Sequence, residues 1–145
     1  MRTVLCMSLI TVFAIAPAFG ADCTPTPGRT AGTHQKEDVP ERIDIGKGLT
    51  VRGRILSVRD CQPLPGARLQ HWQAGESGEY EDRLRAVLYS DKNGHYRFET
   101  EWPNLAFPHI HFRVSAPGHR ALDTQWVGQE RTPQINFDIV LVPEG

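Results

Sequence analysis

The chain has 145 residues, a formal net charge of −1 and a hydrophobic content of 39%. A charge near zero, with no run or stripe of basic residues, argues against a nucleic-acid partner. Without a predicted leader at residues 1–20, about 125 residues remain, which is enough for one domain with one hydrophobic core.

Residues 1–20 have the pattern of a secretory signal peptide. Arg2 supplies the positive charge, Val4–Ala16 is almost wholly apolar, and Ala18–Gly20 offers small residues for cleavage. The apolar stretch is too short for a membrane span. We therefore expect an exported protein, with the periplasm as its compartment and no membrane association once the signal is removed.

Two of the three cysteines remain after the leader and its Cys6 are removed. Cys23 and Cys61 form an even pair in an oxidising compartment, which predicts a disulfide between the mature N-terminus and the loop before Pro63. The alternative is that both act as thiolate metal ligands. No C-x-x-C spacing favours that alternative.

The mature sequence divides into two parts. Residues 21–46 are rich in proline and glycine and poor in large apolar residues, which predicts an extended N-terminal arm laid over the surface. Residues 47–145 show short alternating segments separated by turns and are predicted to form the folded domain.

The folded domain is predicted to be all-β, since no segment has a helical period. Asn93-Gly94 is a strong hairpin signal. Strands at this spacing predict an antiparallel β-sandwich of about seven strands. The candidates are Leu49–Val58, Ala67–Gln73, Arg85–Tyr89, His95–Thr100, His109–Ser115, Ala121–Val127 and Ile135–Val142.

The segment from Pro108 to Val114 contains a candidate metal-binding pair. Successive side chains of a strand point to opposite faces, so His109 and His111 share one face while Ile110 and Phe112 point into the core. Two imidazoles at this spacing can bind one metal ion. The site needs further ligands from elsewhere in the chain.

Tyr80, at the end of a glycine-containing loop, is the leading candidate for the third ligand. A phenolate is a hard oxygen donor, and together with imidazole it suits a trivalent metal or Cu(II). Coordination would also lower the pKa of the phenol. The other histidines are predicted to lie on the surface: His34, His95 and His119 in loops or turns, and His71 on the solvent side of a strand.

A series of motifs between Pro40 and Trp126 resembles the intradiol ring-cleavage dioxygenases of the catechol and protocatechuate type. In order these motifs are Gly53-Arg54-Ile55, Cys61–Ala67, Trp72-Gln73-Ala74, Gly78-Glu79-Tyr80, Asp91 with Gly94–Thr100, His109-Ile110-His111 and Thr124-Gln125. The resemblance implies a β-sandwich, a catechol-like aromatic substrate and O2. It also implies non-haem Fe(III) held by two tyrosines and two histidines. Tyr80, His109 and His111 match three of these ligands, and Gln125 matches a glutamine near the substrate.

The segment before His109 departs from that resemblance. The family's second tyrosine and a nearby arginine have no counterpart in residues 103–108. Three protein ligands would leave open positions on the metal. Arg113 shares the histidine face by strand parity and is a candidate substitute for the missing cation.

Three hypotheses follow. The first is an exported, metal-dependent dioxygenase acting on a catechol-like aromatic. The second is a Cu(II) or Zn(II) enzyme or metal-binding protein on the same fold, because imidazole and phenol suit those ions too. The third is a non-catalytic binding module with a decayed site. The sequence leaves the oligomeric state open.

Overall fold

The computed structural model describes residues 23–145, so the predicted signal peptide at 1–20 and Cys6 lie outside the described residues. Residues 23–145 contain no helix, and hence none long enough to cross a membrane. Their strands are β1 (Leu49–Ser57), β2 (Arg68–Ala74), β3 (Tyr80–Tyr89), β4 (His95–Thr100), β5 (His109–Ser115), β6 (Leu122–Val127), β7 (Gln134–Asn136) and β8 (Ile139–Leu141).

Two predicted strands differ from those observed by more than one residue at an end. β3 begins at Tyr80 and not at the predicted Arg85. Residues 81–83 are charged and have low strand propensity, so the sequence pattern did not indicate that they belong to the strand. The last predicted strand is divided into β7 and β8. At the break, the Asp138 carboxylate accepts the backbone N–H of Arg54 at 2.8 Å, in place of a strand carbonyl.

The strands form two sheets. Sheet I has the order β4-β1-β7, with β8 also paired to β1, and sheet II has the order β3-β2-β5-β6. The predicted all-β sandwich is confirmed. It is antiparallel except where β1 pairs in parallel with the short strands β7 and β8. Those pairings arise because the chain leaves β6 in sheet II and returns to sheet I.

The hydrophobic core lies between the two sheets. Phe98 of sheet I and Phe112 of sheet II are both fully buried, with ring centroids 6.4 Å apart. Ile110 and Val114 flank Phe112 on the same side of β5 and are also fully buried. The predicted core face of β5 is therefore confirmed, and its histidines lie on the outer face of sheet II.

His71 was predicted to face solvent, and this is wrong. It shares the inner face of β2 with Leu69, is 0% exposed, and stacks on Phe98 with ring centroids 3.7 Å apart. Burial, with a smaller contribution from Arg42, lowers the pKa of His71 to about 3. His71 is therefore a neutral residue of the core.

Residues 23–46, the arm, cross the outer face of sheet II from β6 to β3. The Arg29 N–H donates to the Asp123 carbonyl at 2.7 Å, and the Gln70 side-chain amide donates to the Lys36 carbonyl at 2.6 Å. Farther along, the Val87 N–H donates to the Pro40 carbonyl at 3.0 Å. The arm pairs with the sheets only through isolated bridges, Glu41 with Val87 and Asp44 with Glu99, so it covers sheet II without forming a strand.

The arm begins at a disulfide. Cys23 and Cys61 are paired, with Cα atoms 5.5 Å apart. This is the pairing predicted from the cysteine count. It ties the first described residue to the turn after β1.

Candidate metal centre

β5 places its two histidines on the outer face of sheet II. β5 pairs with β2 along one edge and with β6 along the other, so it is held on both sides. The rings of His109 and His111 are 4.8 Å apart between centroids and nearly perpendicular, at 87°. The structure thus brings together the pair that strand parity predicts.

Tyr80 reaches this pair because the register between β2 and β3 shifts. Regular pairing ends at Trp72, and the next pair joins Ala74 to Tyr80. In the turn between them, a Cβ atom at Gly75 would lie 2.1 Å from the Glu101 carboxylate, so a larger residue would displace that side chain. Such irregularities re-aim a side chain. Here the Tyr80 hydroxyl lies 2.9 Å from Nε2 of His109.

The other nitrogen of His109 is held by the backbone. Nδ1 lies 2.8 Å from the Phe107 carbonyl, which can only accept, so Nδ1 carries the proton. The lone pair of Nε2 then faces the Tyr80 hydroxyl. A carbonyl that fixes the tautomer in this way is the usual partner of a metal-binding histidine.

His111 is buried at the same place. It is 8% exposed, stacks against Trp72 at 5.2 Å between centroids, and has an Nδ1 atom that is buried without a hydrogen-bond partner. Burial, then the nearby His109 and His34, lower the pKa of His111 to about 4. The ring is therefore neutral near pH 7, which is the form that binds metals.

The Tyr80 phenol is protonated without a metal. Burial raises the pKa of Tyr80, and the positive charge of Arg85 opposes that effect only in part. In this state the hydroxyl donates to Nε2 of His109. A bound cation would take the place of that shared proton.

The Tyr80 oxygen and Nε2 of His109 are close enough to bind one metal ion, with the imidazole of His111 beside them. Two donor atoms that each lie about 2.05 Å from one metal, at a right angle, are about 2.9 Å apart. That is the separation between the Tyr80 oxygen and Nε2 of His109. No three His, Cys, Asp or Glu side chains within residues 23–145 are grouped to hold a metal, so the phenol is needed as the third donor.

Sequence reasoning missed the contribution of the arm. His34, predicted to be a surface residue, stacks on Tyr80 with ring centroids 4.0 Å apart and an angle of 2°. Gly32 lies over His111, where a Cβ atom would be 3.6 Å from Cε1. No periodicity in the arm could have indicated either contact.

Gln125 and Arg113 occupy different surroundings near the centre. Gln125 is directly opposite His111 in the β5–β6 register, so both side chains emerge on the same face. Arg113 also lies on this face, but its guanidinium forms two bonds to the Asp123 carboxylate, at 2.7 and 3.0 Å. A third contact reaches Glu37 at 3.5 Å. The positive charge of Arg113 is thus largely compensated.

The segment that lacks the second tyrosine supports the site from outside. Asn104 donates through its side-chain amide to the Glu76 carbonyl at 2.9 Å and so holds the loop before Tyr80. Phe107, whose carbonyl orients His109, is itself 79% exposed. An apolar side chain therefore stands in solvent beside the centre.

Comparisons with known proteins agree with this fold. No protein-family model matches the chain. A catechol 1,2-dioxygenase of Candida albicans is 31% identical over an alignment of 121 positions that covers 62% of this chain and 39% of that enzyme. The chain thus spans about two fifths of the length of this curated relative.

Two solved structures are similar over most of the chain. One is the dioxygenase domain of a dioxygenase–carbohydrate-binding protein fusion from Streptomyces sp. SirexAA-E, with a TM-score of 0.76, 28% identity and coverage of 83% of this chain and 100% of that one. The other is an intradiol ring-cleavage dioxygenase from Tetranychus urticae, with a TM-score of 0.66, 26% identity and coverage of 71% and 65%. In sequence and fold, the chain is thus similar to catechol 1,2-dioxygenases and intradiol ring-cleavage dioxygenases.

Proposed function

We propose that the protein is an exported non-haem iron dioxygenase that acts on a catechol-type aromatic with O2. The observation that carries the proposal is the meeting of the Tyr80 oxygen and Nε2 of His109 at 2.9 Å, beside the buried imidazole of His111. This donor set lies on the fold of a dioxygenase family. One phenolate and two neutral imidazoles suit Fe(III).

Each residue has a distinct role in this proposal. Tyr80, His109 and His111 hold the metal, which when bound supplies a Lewis-acidic centre for the two oxygens of a catecholate and for the reaction with O2. The Phe107 carbonyl keeps the lone pair of Nε2 directed at the centre. Trp72 covers His111 on the side of the sheet and keeps water away from it.

Gln125 and Arg113 are proposed as the polar groups nearest the substrate. Gln125 is placed by its pairing with His111 and offers an amide to a substrate oxygen. Arg113 acts at most as a weak electrostatic partner, because Asp123 already binds its guanidinium. The charge stabilisation that a free arginine would provide is correspondingly smaller.

The activity is tested by loading the purified protein with Fe(III) and measuring O2 consumption with catechol. We expect uptake by the wild type and none above background in His109→Ala and His111→Ala, because each variant loses one of three ligands. His95→Ala is the matched control, since His95 is an exposed histidine on sheet I. An iron-loaded wild type without uptake would contradict the proposed reaction.

The metal itself is tested by elemental analysis of protein purified from its native compartment. Iron is the expected metal. Cu(II) or Zn(II) in its place, with occupancy lost in the same variants, would move the function to the second hypothesis. A folded protein that takes up none of the three metals would identify a non-catalytic binding module.

Export is the remaining part of the proposal. It is supported by the pairing of Cys23 with Cys61, since disulfides persist in oxidising compartments. The mass of the protein in a periplasmic fraction checks it. We expect cleavage after Gly20, and full-length protein in the cytoplasm would contradict it.

A further inference from the structure

The imidazole of His34 lies flat against the phenol ring of Tyr80. The ring centroids are 4.0 Å apart and the ring planes differ by 2°. Parallel stacking leaves the lone pair of His34 in a plane well away from the plane of the phenol. The contact between His34 and Tyr80 is therefore made by the faces of the two rings and not through an imidazole nitrogen.

The arm holds His34 in this place through its backbone. The carbonyl of His34 accepts a hydrogen bond from the guanidinium of Arg85, a buried residue of β3. Two residues on, the Lys36 carbonyl accepts from Gln70 of β2, and the Lys36 ammonium pairs with Asp82 at 2.6 Å. The strands that carry the site therefore also fix the arm.

The arm residues just before His34 close over the other part of the centre. Gly32 has a φ of +71°, a conformation that favours glycine, and it lies in contact with the His111 ring. Gly32 and His34 thus cover His111 and Tyr80 respectively. One short segment contacts two of the three candidate ligands.

Tyr80 needs such support because pairing of its backbone does not fix its side chain. Only Ala74 pairs with Tyr80, at the far side of a register shift, and the ring can still turn about its two side-chain torsions. A flat ring stacked on the phenol removes that freedom. The 2.9 Å approach of the Tyr80 oxygen to Nε2 of His109 depends on the ring orientation that results.

We propose that His34 is a positioning residue of the metal centre, which orients the Tyr80 phenol by stacking and not by coordination. This inference rests on the proposed function for its relevance to iron. It assigns a role to the arm: the arm completes the centre by holding a ligand that the sheet alone leaves loose. What the position requires is a flat ring, not an imidazole nitrogen.

The test compares His34→Phe, which keeps a flat ring, with His34→Leu, which keeps bulk without one. Gln35→Leu is the control, because Gln35 is the next residue of the same arm and its side-chain amide donates within the arm, to the Lys36 carbonyl. Fe(III) affinity and the visible phenolate-to-iron absorption band are measured in each folded variant. The Fe(III) affinity measures how well the whole site binds iron. The absorption band measures the geometry of the Tyr80 phenolate at the iron.

We expect His34→Leu to bind Fe(III) roughly three- to tenfold more weakly than the wild type, the range of one aromatic pair, with a shifted and broadened band. His34→Phe and Gln35→Leu should match the wild type in both. Equal behaviour of the Phe and Leu variants would overturn the proposal. If both lose iron, the imidazole nitrogen is required, and if neither changes, the stacking is without effect.

A metal-free measurement separates this inference from the proposed function. In the NMR spectrum, the Tyr80 ring protons should carry the ring-current shift of a stacked neighbour in the wild type and in His34→Phe, and lose it in His34→Leu. A wild type that shows this shift but binds no iron would contradict the proposed function alone. A wild type that binds iron without the shift would contradict the role of His34.

Discussion

The two faces of sheet II each bury a histidine, and the comparison shows what makes one of them a candidate site. His71 on the inner face and His111 on the outer face both stack on an aromatic ring and both have a buried nitrogen without a partner. Burial lowers the pKa of each, to about 3 and about 4. By burial and titration alone they are alike.

Their neighbours differ. His71 lies in the core, stacked on Phe98. His111 has His109 next to it and Tyr80 close by, under a covering arm instead of a second sheet. A histidine with a lowered pKa becomes a candidate ligand only where other donors converge on it. The pKa values alone would have favoured His71 as much as His111.

Separate alanine substitutions of two adjacent residues of β5, Phe112 and His111, give the largest expected effect. Phe112→Ala removes a fully buried ring from the inner face and should lower the free energy of unfolding by about 3–5 kcal/mol. His111→Ala should lower it much less but abolish iron binding. Urea denaturation and iron titration of both variants measure the two effects. A Phe112→Ala protein as stable as the wild type would contradict the assignment of folding stability to the inner face of β5.

Acid should destabilise the fold through His71, on the inner face of sheet II. Its pKa is about 3 when folded and about 6.5 when unfolded, so between those values the unfolded state binds more protons. Stability is thus fully present above pH 6.5 and is lost as the pH falls towards 3, at up to about 1.4 kcal/mol per pH unit. His71→Leu should remove this contribution. Denaturation curves at several pH values compare the slopes, and parallel slopes would show that His71 titrates normally.

The covering of the outer face is tested by a smaller change. Gly32→Ala places a side chain at a φ of +71° and 3.6 Å from the His111 ring. The backbone strain should cost about 1 kcal/mol, with a corresponding loss of iron affinity if the arm moves off the site. Gly48→Ala is the control: Gly48 also has a positive φ, and a Cβ atom there meets nothing within 4 Å. Equal iron affinity in both variants would show that the arm does not bear on the centre.

The sequence predicts the part of this site that depends on strand alternation. The period of two separates His109 and His111 from Ile110 and Phe112, and the glycine loop indicates Tyr80. His34 and Gly32 could not be predicted, because this part of the arm is held through the backbone carbonyls of His34 and Lys36, which carry no signature in side-chain type. The pairing of Arg113 with Asp123 was likewise hidden, since it depends on the β5–β6 register. His71 was misjudged because a polar residue was assumed to face water.

The central claim is that Tyr80 is a metal ligand, and the visible absorption spectrum of the Fe(III)-loaded protein tests it most directly. Tyr80→Phe is compared with Tyr89→Phe, a control at the opposite end of β3, where the ring is 48% exposed. The account predicts a phenolate-to-iron band in the wild type and in Tyr89→Phe, and no such band in Tyr80→Phe. A band that survives in Tyr80→Phe would contradict it.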